Sequence, residues 1–460
     1  MTLPLVVVGV FLSTLDFFVV SVAIPAVQSE LHASDAAMQL FVAGYALVYG
    51  TGMITGGRLG DVFGRRRMFI VGMLSFTIAS AFCGLATNMG MLLAARVLQG
   101  AAAALMIPQG LALCSVAFTG AARLRAISWY GAASGFAAVL GQPIAGLLIK
   151  ADLFGLGWRP CFLVNLPVGL AAAVLARRYV PESRAPDRPG MDVAGSVLVT
   201  VALAAVLVPL VEGRELGWPT WTWLALACSG PLLAGFAVHQ RRAAARGRPC
   251  LMDIRLFRAR AFSVGLLAQL LFWAGMASCF FVLALYLQRG RGLDPLTAGL
   301  VFAVLGAGYL VTSTTVRRFT PSPGRGTIAV GALIRAVALL GLIATLWLIG
   351  AEGDVLWLAP GLFLDGAGMG LVVAPLATTV LARVSPRDAG AVSGVLSTGL
   401  QVGNALGVAL VGLVFYPVLD RLPSTTAYLH AYGWSLLFVL ALSLALVISV
   451  RFLPRNPPQW

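Results

Sequence analysis

Four ionisable side chains of this 460-residue chain fall inside long apolar runs: Asp16, Arg96, Arg335 and Asp365. In the middle of a lipid-embedded helix each costs roughly 2.5–3.5 kcal/mol unless protein or water compensates it. Asp16 stands in 15-LDFFVVSVAIPAVQSEL-31. Enclosure penalises the ionised form of a carboxyl, so such a group can take up and release one proton per cycle; the alternative is an aspartate held permanently by hydrogen bonds to fix helix packing. Arg96, in 92-LLAARVLQG-100, lies too deep for its head group to reach the interface; it is expected either to pair with ionised Asp16 or to depress a neighbouring carboxyl's pKa, with a structural ion pair or a hydrogen-bond hub for backbone carbonyls as the alternative. Asp365, in 364-LDGAGMGLVVAP-375, is expected to attract a cationic substrate or to act as a second proton site, with satisfied polar packing as the alternative. Arg335 is close enough to the end of its run to snorkel, and no role is assigned to it.

A different cluster interrupts the apolar pattern at 57-GRLGDVFGRRRMFI-70. Gly57, Gly60 and Gly64 recur at spacings of three and four, which leaves one bare helix face for close approach. Asp61 and Arg65 can pair at i,i+4 or reach to a neighbouring helix. With Arg58 and Arg66, these residues are expected to form a latch at a cytoplasmic rim, made in one conformation and broken in another. A simple topogenic arginine cluster would account for Arg65 to Arg67, but not for Asp61 or the glycines. Gly141, Pro143 and Gly146 in the fifth run allow either a helix hinge or tight packing.

The elements that must position these residues are membrane helices. With 59% hydrophobic and 11% charged residues and a mean hydropathy of +0.92, the chain is far more apolar than a soluble core requires. Fourteen runs are long enough to cross a ~30 Å hydrocarbon layer, near 3–27, 37–57, 68–87, 89–113, 127–149, 161–178, 191–211, 219–239, 261–288, 295–316, 327–349, 355–382, 389–418 and 432–452. The first is expected to remain as a span, since it is too long for a cleavable leader and more spans follow. A net charge of +15 would suggest nucleic acid in a soluble protein, but its placement argues otherwise. With the N-terminus inside, 24 of the 32 lysines and arginines fall in inner connections, among them Arg188, Arg317, Arg318, Arg383, Arg387 and Arg455. This is the positive-inside pattern, and it predicts a multi-pass plasma-membrane protein with both termini cytoplasmic and no nucleic-acid partner. Trp158, Trp218, Trp221, Trp223 and Trp357 cluster at expected outer ends, where interfacial tryptophans sit.

The chain also matches itself. In 131-GAASG-135 and 390-GAVSG-394 the first glycine is followed eleven residues later by Gln142 and Gln401, an offset of about 259 residues. Near the same offset, 98-LQGAAAALMIP-108 resembles 364-LDGAGMGLVVAP-375 and places Asp365 opposite Gln99, one turn from Arg96. The expected architecture is all-α: a six-helix bundle over 1–180, two inserted helices over 181–245, and a second, pseudo-symmetric six-helix bundle over 246–460. Repeated bundles of this kind expose a site alternately to each side of a membrane, and Asp365, Gln99, Gln142 and Gln401 are the residues expected to meet a substrate.

Composition removes several function classes. The phosphate-binding loop of ATP-driven pumps requires a lysine; the single lysine, Lys150 in 145-AGLLIKAD-152, does not fit. Six cysteines without paired spacing and three separated histidines support neither a disulfide framework nor a metal site. No nucleophile and base constellation is apparent, so an enzyme is not expected. Energy must come from an ion or substrate gradient, and no cofactor is implied.

These residues together resemble the major facilitator superfamily, in particular its fourteen-span drug:proton antiporters, over essentially the whole chain. GRLGDVFGRRR is similar to the superfamily signature between the second and third spans. LDFFVVSVAIP resembles the first-span signature, with Phe17 and Ser21 where threonine and asparagine are common. RVLQG resembles the fourth-span signature, and 157-GWRPCFLVNLPVG-169 the entry to span 6, with Pro160 replacing an aromatic. The antiporter signature of span 5 is altered, since 141-GQPIAG-146 has Gln142 and Ala145 where proline and glycine are usual. The resemblance implies a monomer that exports small amphipathic or cationic compounds in exchange for protons. An importer or uniporter on the same fold, or a membrane sensor that does not transport, are the alternatives.

Overall fold

A computed structural model describes residues 2–185, 190–319, 324–381, 389–422 and 424–453. Of the arginines assigned to inner connections, Arg188, Arg383, Arg387 and Arg455 lie outside the described residues, as do the side chains of Arg317 and Arg318. Fourteen helical stretches among the described residues are long and apolar enough to cross a membrane, the number expected from the sequence. No strand occurs among the described residues.

The chain divides into two compact units, 1–141 with 151–254, and 142–150 with 255–460. The first holds α1 (Thr2–Glu30), α2 (Asp35–Phe63), α3 (Arg65–Gly84), α4 (Met89–Ala117), most of α5 (Gly120–Ala151), the short α6 (Pro160–Leu163), α7 (Asn165–Tyr179), α8 (Val193–Glu215) and α9 (Thr220–Ala245). The second holds the end of α5, then α10 (Arg260–Leu285), α11 (Pro295–Phe319), α12 (Arg325–Ile349), α13 (Ala359–Leu381), α14 (Ala389–Arg421) and α15 (Ser424–Val450). Helix starts are written locally: Ser34 and Asn88 accept from the backbone N–H groups of Ala37 and Met91 at 3.1 and 2.9 Å, satisfying donors that the first turn leaves open.

The same neighbours recur in each unit. In the first, α4 packs against α2 and α3, and α3 against α7; in the second, α13 packs against α11 and α12, and α12 against α15. This is the duplication that the GAASG/GAVSG repeat predicted.

The inserted pair packs within the first unit, with α8 against α2 and α9 against α8. Polar contacts fasten α8 to α2 at both ends. Glu215 accepts from the Ala36 N–H at 2.7 Å, and at the opposite end Thr55 and Ser196 share a hydroxyl hydrogen bond. Asp192 caps α8 through the Gly195 N–H at 2.8 Å and receives Gln240 Nε2 at 2.6 Å, with His239 Nε2 at 2.8 Å. Burial pushes the Asp192 carboxyl up, but the hydrogen bonds from His239, Gly195 and Gln240 outweigh it and hold the group below its ordinary value.

The stretch between the second and third spans is helical up to its turn, as the glycine spacing and the Asp61–Arg65 pair implied: α2 runs to Phe63 and α3 starts at Arg65, parted only by Gly64 at φ 108°, a backbone state that favours glycine. Two readings of the sequence differ from the packing. The close-approach face is displaced by one residue. A Cβ on Gly56 would lie 2.1 Å from the Ala104 carbonyl oxygen and one on Gly60 would strike Gln109, whereas one on Gly57 would meet only Pro108, at 3.7 Å. Gly52, Gly56 and Gly60, spaced by four, therefore form the stripe on which α4 lies, and Gln109 seals it by donating to the Gly56 carbonyl at 2.7 Å. Trp158, expected at the interface, is 1% exposed and packs edge-on against Phe162; Trp221, Trp223 and Trp357 are exposed.

Gly56→Val is accordingly expected to destabilise the protein by about 1–3 kcal/mol through overpacking against backbone. Gly57→Ala should stay within about 0.5 kcal/mol of wild type. Thermal unfolding of the two detergent-solubilised variants tests the assignment, and equal losses would refute it.

Candidate functional site

Asp16 and Arg96 meet in the interior of the first unit, each 1% exposed. Arg96 Nη1 donates to Asp16 Oδ2 at 2.6 Å. The other carboxylate oxygen accepts from Gln99 Nε2 at 2.8 Å and from Asn165 Nδ2 at 3.3 Å. Gln99 also accepts from Arg96 Nη1 at 2.7 Å, so its amide bridges the pair. Asn165 extends the network by donating to Ser80 Oγ at 2.9 Å, and Ser80 donates to the Phe162 carbonyl at 2.9 Å.

Asp16 comes from α1, Arg96 and Gln99 from adjacent turns of α4, Ser80 from α3 and Asn165 from the first turn of α7. Phe41 and Tyr45 of α2 and Phe162 close the guanidinium's surroundings, with ring centroids 5.3, 4.2 and 5.9 Å from Cζ. The Tyr45 face thus supplies cation–π attraction in a dry setting, and Arg96 Nη2 has no hydrogen-bond partner among the described residues. The site can hold a carboxylate and a guanidinium as a neutral pair. A proton placed on Asp16 would leave the guanidinium uncompensated, which makes the arrangement sensitive to that single proton.

The second unit contains a comparable pair. Arg335 Nε donates to Asp365 Oδ1 at 2.9 Å, with the two side chains 1% and 0% exposed. Arg335 therefore does not snorkel: its head group turns inward because the carboxylate on α13 lies within reach. The charges are inverted relative to the first unit. The equivalent helices α4 and α13 each carry one buried charge, a cation on α4 and an anion on α13. Asp365, expected to be open to a substrate cation, is already engaged by Arg335 and enclosed.

The remaining expected residues are dispersed. Gln142 is buried with Nε2 unpartnered. Gln401 accepts from Asn404 Nδ2 at 3.2 Å. Gly141 and Gly146 are both close-packed, since a Cβ would lie 2.8 Å from Phe18 Cβ and 2.3 Å from the Pro295 carbonyl oxygen respectively; Pro143 stands between them within α5. At the α2–α3 turn Arg65 donates to Asp61 at 2.8 Å. Arg58 lies within electrostatic range of Cys250. Arg66 donates to the Val180 carbonyl at 3.2 Å and lies 3.7 Å from Glu182.

Glu182 is a residue that the sequence reading missed. Its carboxylate accepts from the Arg66 and Arg67 N–H groups at 3.0 and 3.2 Å, an anion on the positive end of α3. Arg65 N–H donates to the Ser183 carbonyl and Ala185 N–H to the Asp61 carbonyl, which stitches the segment after α7 onto the turn. No spacing rule links positions 116 residues apart. Asn165 and Ser80 were missed because neutral residues in apolar runs carry no cost signal; Asn165 does lie in the quoted span-6 segment.

Fourteen apolar helices among the described residues, with repeated packing in two units that each enclose an ion pair, define a multi-pass membrane protein. The chain belongs to the Major Facilitator Superfamily, whose family model matches residues 6–408. It is 41% identical over 414 residues to a probable actinorhodin transporter of Streptomyces coelicolor, covering 88% of this chain and 70% of that protein. It is 36% identical over 437 residues to a puromycin resistance protein of Streptomyces alboniger, covering 94% and 84%. Among solved structures, tetrameric PepTSo2 superposes with a TM-score of 0.70 at 16% identity, covering 98% of this chain and 96% of the other, a likeness of fold alone.

Removing one member of a buried pair strands the other, at a cost of about 3–5 kcal/mol, whereas an apolar replacement of both is often near neutral. Asp16→Ala is expected to show that loss in thermal unfolding, and Asp16→Ala with Arg96→Met to recover more than half of it.

Proposed function

We propose that the protein is a proton-coupled exporter of small, amphipathic or cationic compounds of the antibiotic or secondary-metabolite kind, working by alternating access as a monomer in the plasma membrane. Asp16 is the proton-carrying group and Arg96 its partner. The observation that carries this reading is the enclosed Asp16–Arg96 contact of 2.6 Å, in which both carboxylate oxygens are occupied and the guanidinium keeps one unmatched amino group. The relatives' names for transport and resistance support the substrate class and the outward direction.

In the ionised state the pair is neutral and holds α1 to α4. When a proton reaches Asp16, the O–H bond that forms removes the carboxylate's attraction for Arg96, and the guanidinium must find another partner or water. Desolvated charge without compensation is costly, so protonation favours a different arrangement of the helices. Return of the proton to the other side resets the pair. Each inward proton would supply ~2.3 kcal/mol per 100 mV of potential and ~1.4 kcal/mol per pH unit, enough for a tenfold or larger substrate ratio.

Gln142 and Gln401 are the proposed substrate contacts, with Asn404 beside Gln401; both glutamines are buried and Gln142 has an unused donor. The Asp61–Arg65 pair with Arg58, Arg66 and the Gly60 and Gly64 positions is the proposed latch, and Gly141, Pro143 and Gly146 the proposed hinge. The arginine distribution supports an orientation with both termini cytoplasmic.

Proteoliposomes loaded with a pH dye and challenged with cationic and neutral fluorescent compounds test this directly. Wild type is expected to move protons and compound in opposite directions. Asp16→Asn should lower proton-driven export at least tenfold while folding and compound binding persist, and unchanged export by that variant would remove Asp16 from the mechanism.

A further inference from the structure

The Arg335–Asp365 pair leaves more unsatisfied than a packing contact requires. Asp365 Oδ1 receives Arg335 Nε, but Oδ2 has only the Cys279 thiol, a weak donor at 4.0 Å. Arg335 Nη2 has no partner, and Nη1 reaches the Phe272 carbonyl only at 3.5 Å. Asp16, by contrast, has three strong donors. A carboxylate that accepts one strong hydrogen bond while fully enclosed is poorly compensated; protonation relieves the carboxylate's share of that deficit and leaves Arg335 to find water or another partner.

A polar column leads away from it. Tyr432 on α15 lies within electrostatic range of both Asp365 and Cys279, and its hydroxyl is buried without a hydrogen-bond partner. Its ring stacks on Tyr286, with centroids 4.5 Å apart and planes 10° apart. The Tyr286 hydroxyl accepts from Arg291 Nη1 at 3.1 Å, and Arg291 is half-buried in the connection to α11. Tyr286 opens a π-helical turn, Tyr286–Gly290, a distortion that is rare and frequent at functional sites. The ionisable groups facing Asp365 are thus Arg335 from α12, Cys279 from α10 and Tyr432 from α15. From α11 the approach is by backbone, the Leu305 carbonyl lying against Gly366.

We propose that Asp365 is a second proton-carrying site, so that one cycle moves two protons. The inference rests on proton coupling at Asp16 as the first site. Chemically, one proton is taken from hydronium when water reaches the pair in an open state of the cycle. It forms an O–H bond on Asp365 Oδ2, the oxygen left without a strong donor. Arg335 stays protonated, the pair changes from neutral to a single positive charge, and the proton leaves by breaking the same O–H bond.

Infrared difference spectra of the purified protein on acidification read carboxylic-acid formation without any substrate. Two carbonyl bands are expected for wild type, one absent from Asp16→Asn and the other from Asp365→Asn. An Asp365→Asn spectrum identical to wild type would overturn the second site and leave the first standing; absence of the Asp16 band instead would overturn the proposed function. Should Asp365→Asn not fold, Asp365→Glu is expected to shift one band only, and a spectrum without that shift would overturn the site.

Discussion

A charge taken out of water must be matched where it lies, and in this protein that requirement is met by the contact between Asp16 and Arg96. Four helices and a short fifth are committed to it. The carboxylate comes from α1, the guanidinium and the bridging Gln99 from α4, Asn165 from α7, the aromatic cover from α2 and the Phe162 ring from α6. Because these donors are held by apolar packing around them, the pair is compensated without water, each side chain being 1% exposed.

The backbone arrangement makes that placement possible. Helices in lipid gain little from burying apolar side chains against one another, so close approach of small residues sets which ones pair. The stripe Gly52, Gly56 and Gly60 brings α2 against α4 until Gln109 can bond to the Gly56 carbonyl. This contact fixes where Phe41 and Tyr45, on the same α2, lie over Arg96. At the end of the same helix Gly64 turns the chain within one residue, and Glu182 covers the freed N–H groups of α3. The glycine stripe, the ion pair and the α2–α3 turn are therefore successive parts of one rod.

The second unit repeats the helix packing but not the electrostatics. Where α4 carries Arg96, α13 carries Asp365, and its partner comes from α12 rather than from the first helix of the bundle. Duplication constrains the packing of helices far more than the identity of a buried charge, provided that a partner stands within a few ångströms. The inserted pair α8–α9 follows the same economy of contacts: apolar along most of its length, it is fixed to α2 by Glu215 at one end and Ser196 at the other.

Span count, the internal repeat, the family and the residues that must be compensated were all legible in the chain itself, because hydrocarbon thickness sets helix length and an ionised group in an apolar run has no cheap solution. Asp16, Arg96 and Asp365 stood out for that reason. The sequence could not say which partner each charge would take. Arg335 looked able to reach the interface, and Gly57 looked as suited to close packing as Gly56, since a difference of one residue is a rotation of about 100° around the helix. Glu182, Asn165 and Ser80 were silent because neutral or loop residues announce no cost until another helix arrives beside them. Which charges need partners is thus a property of composition along the chain. Who the partners are depends on helix rotation and register, set only when side chains from distant positions pack together.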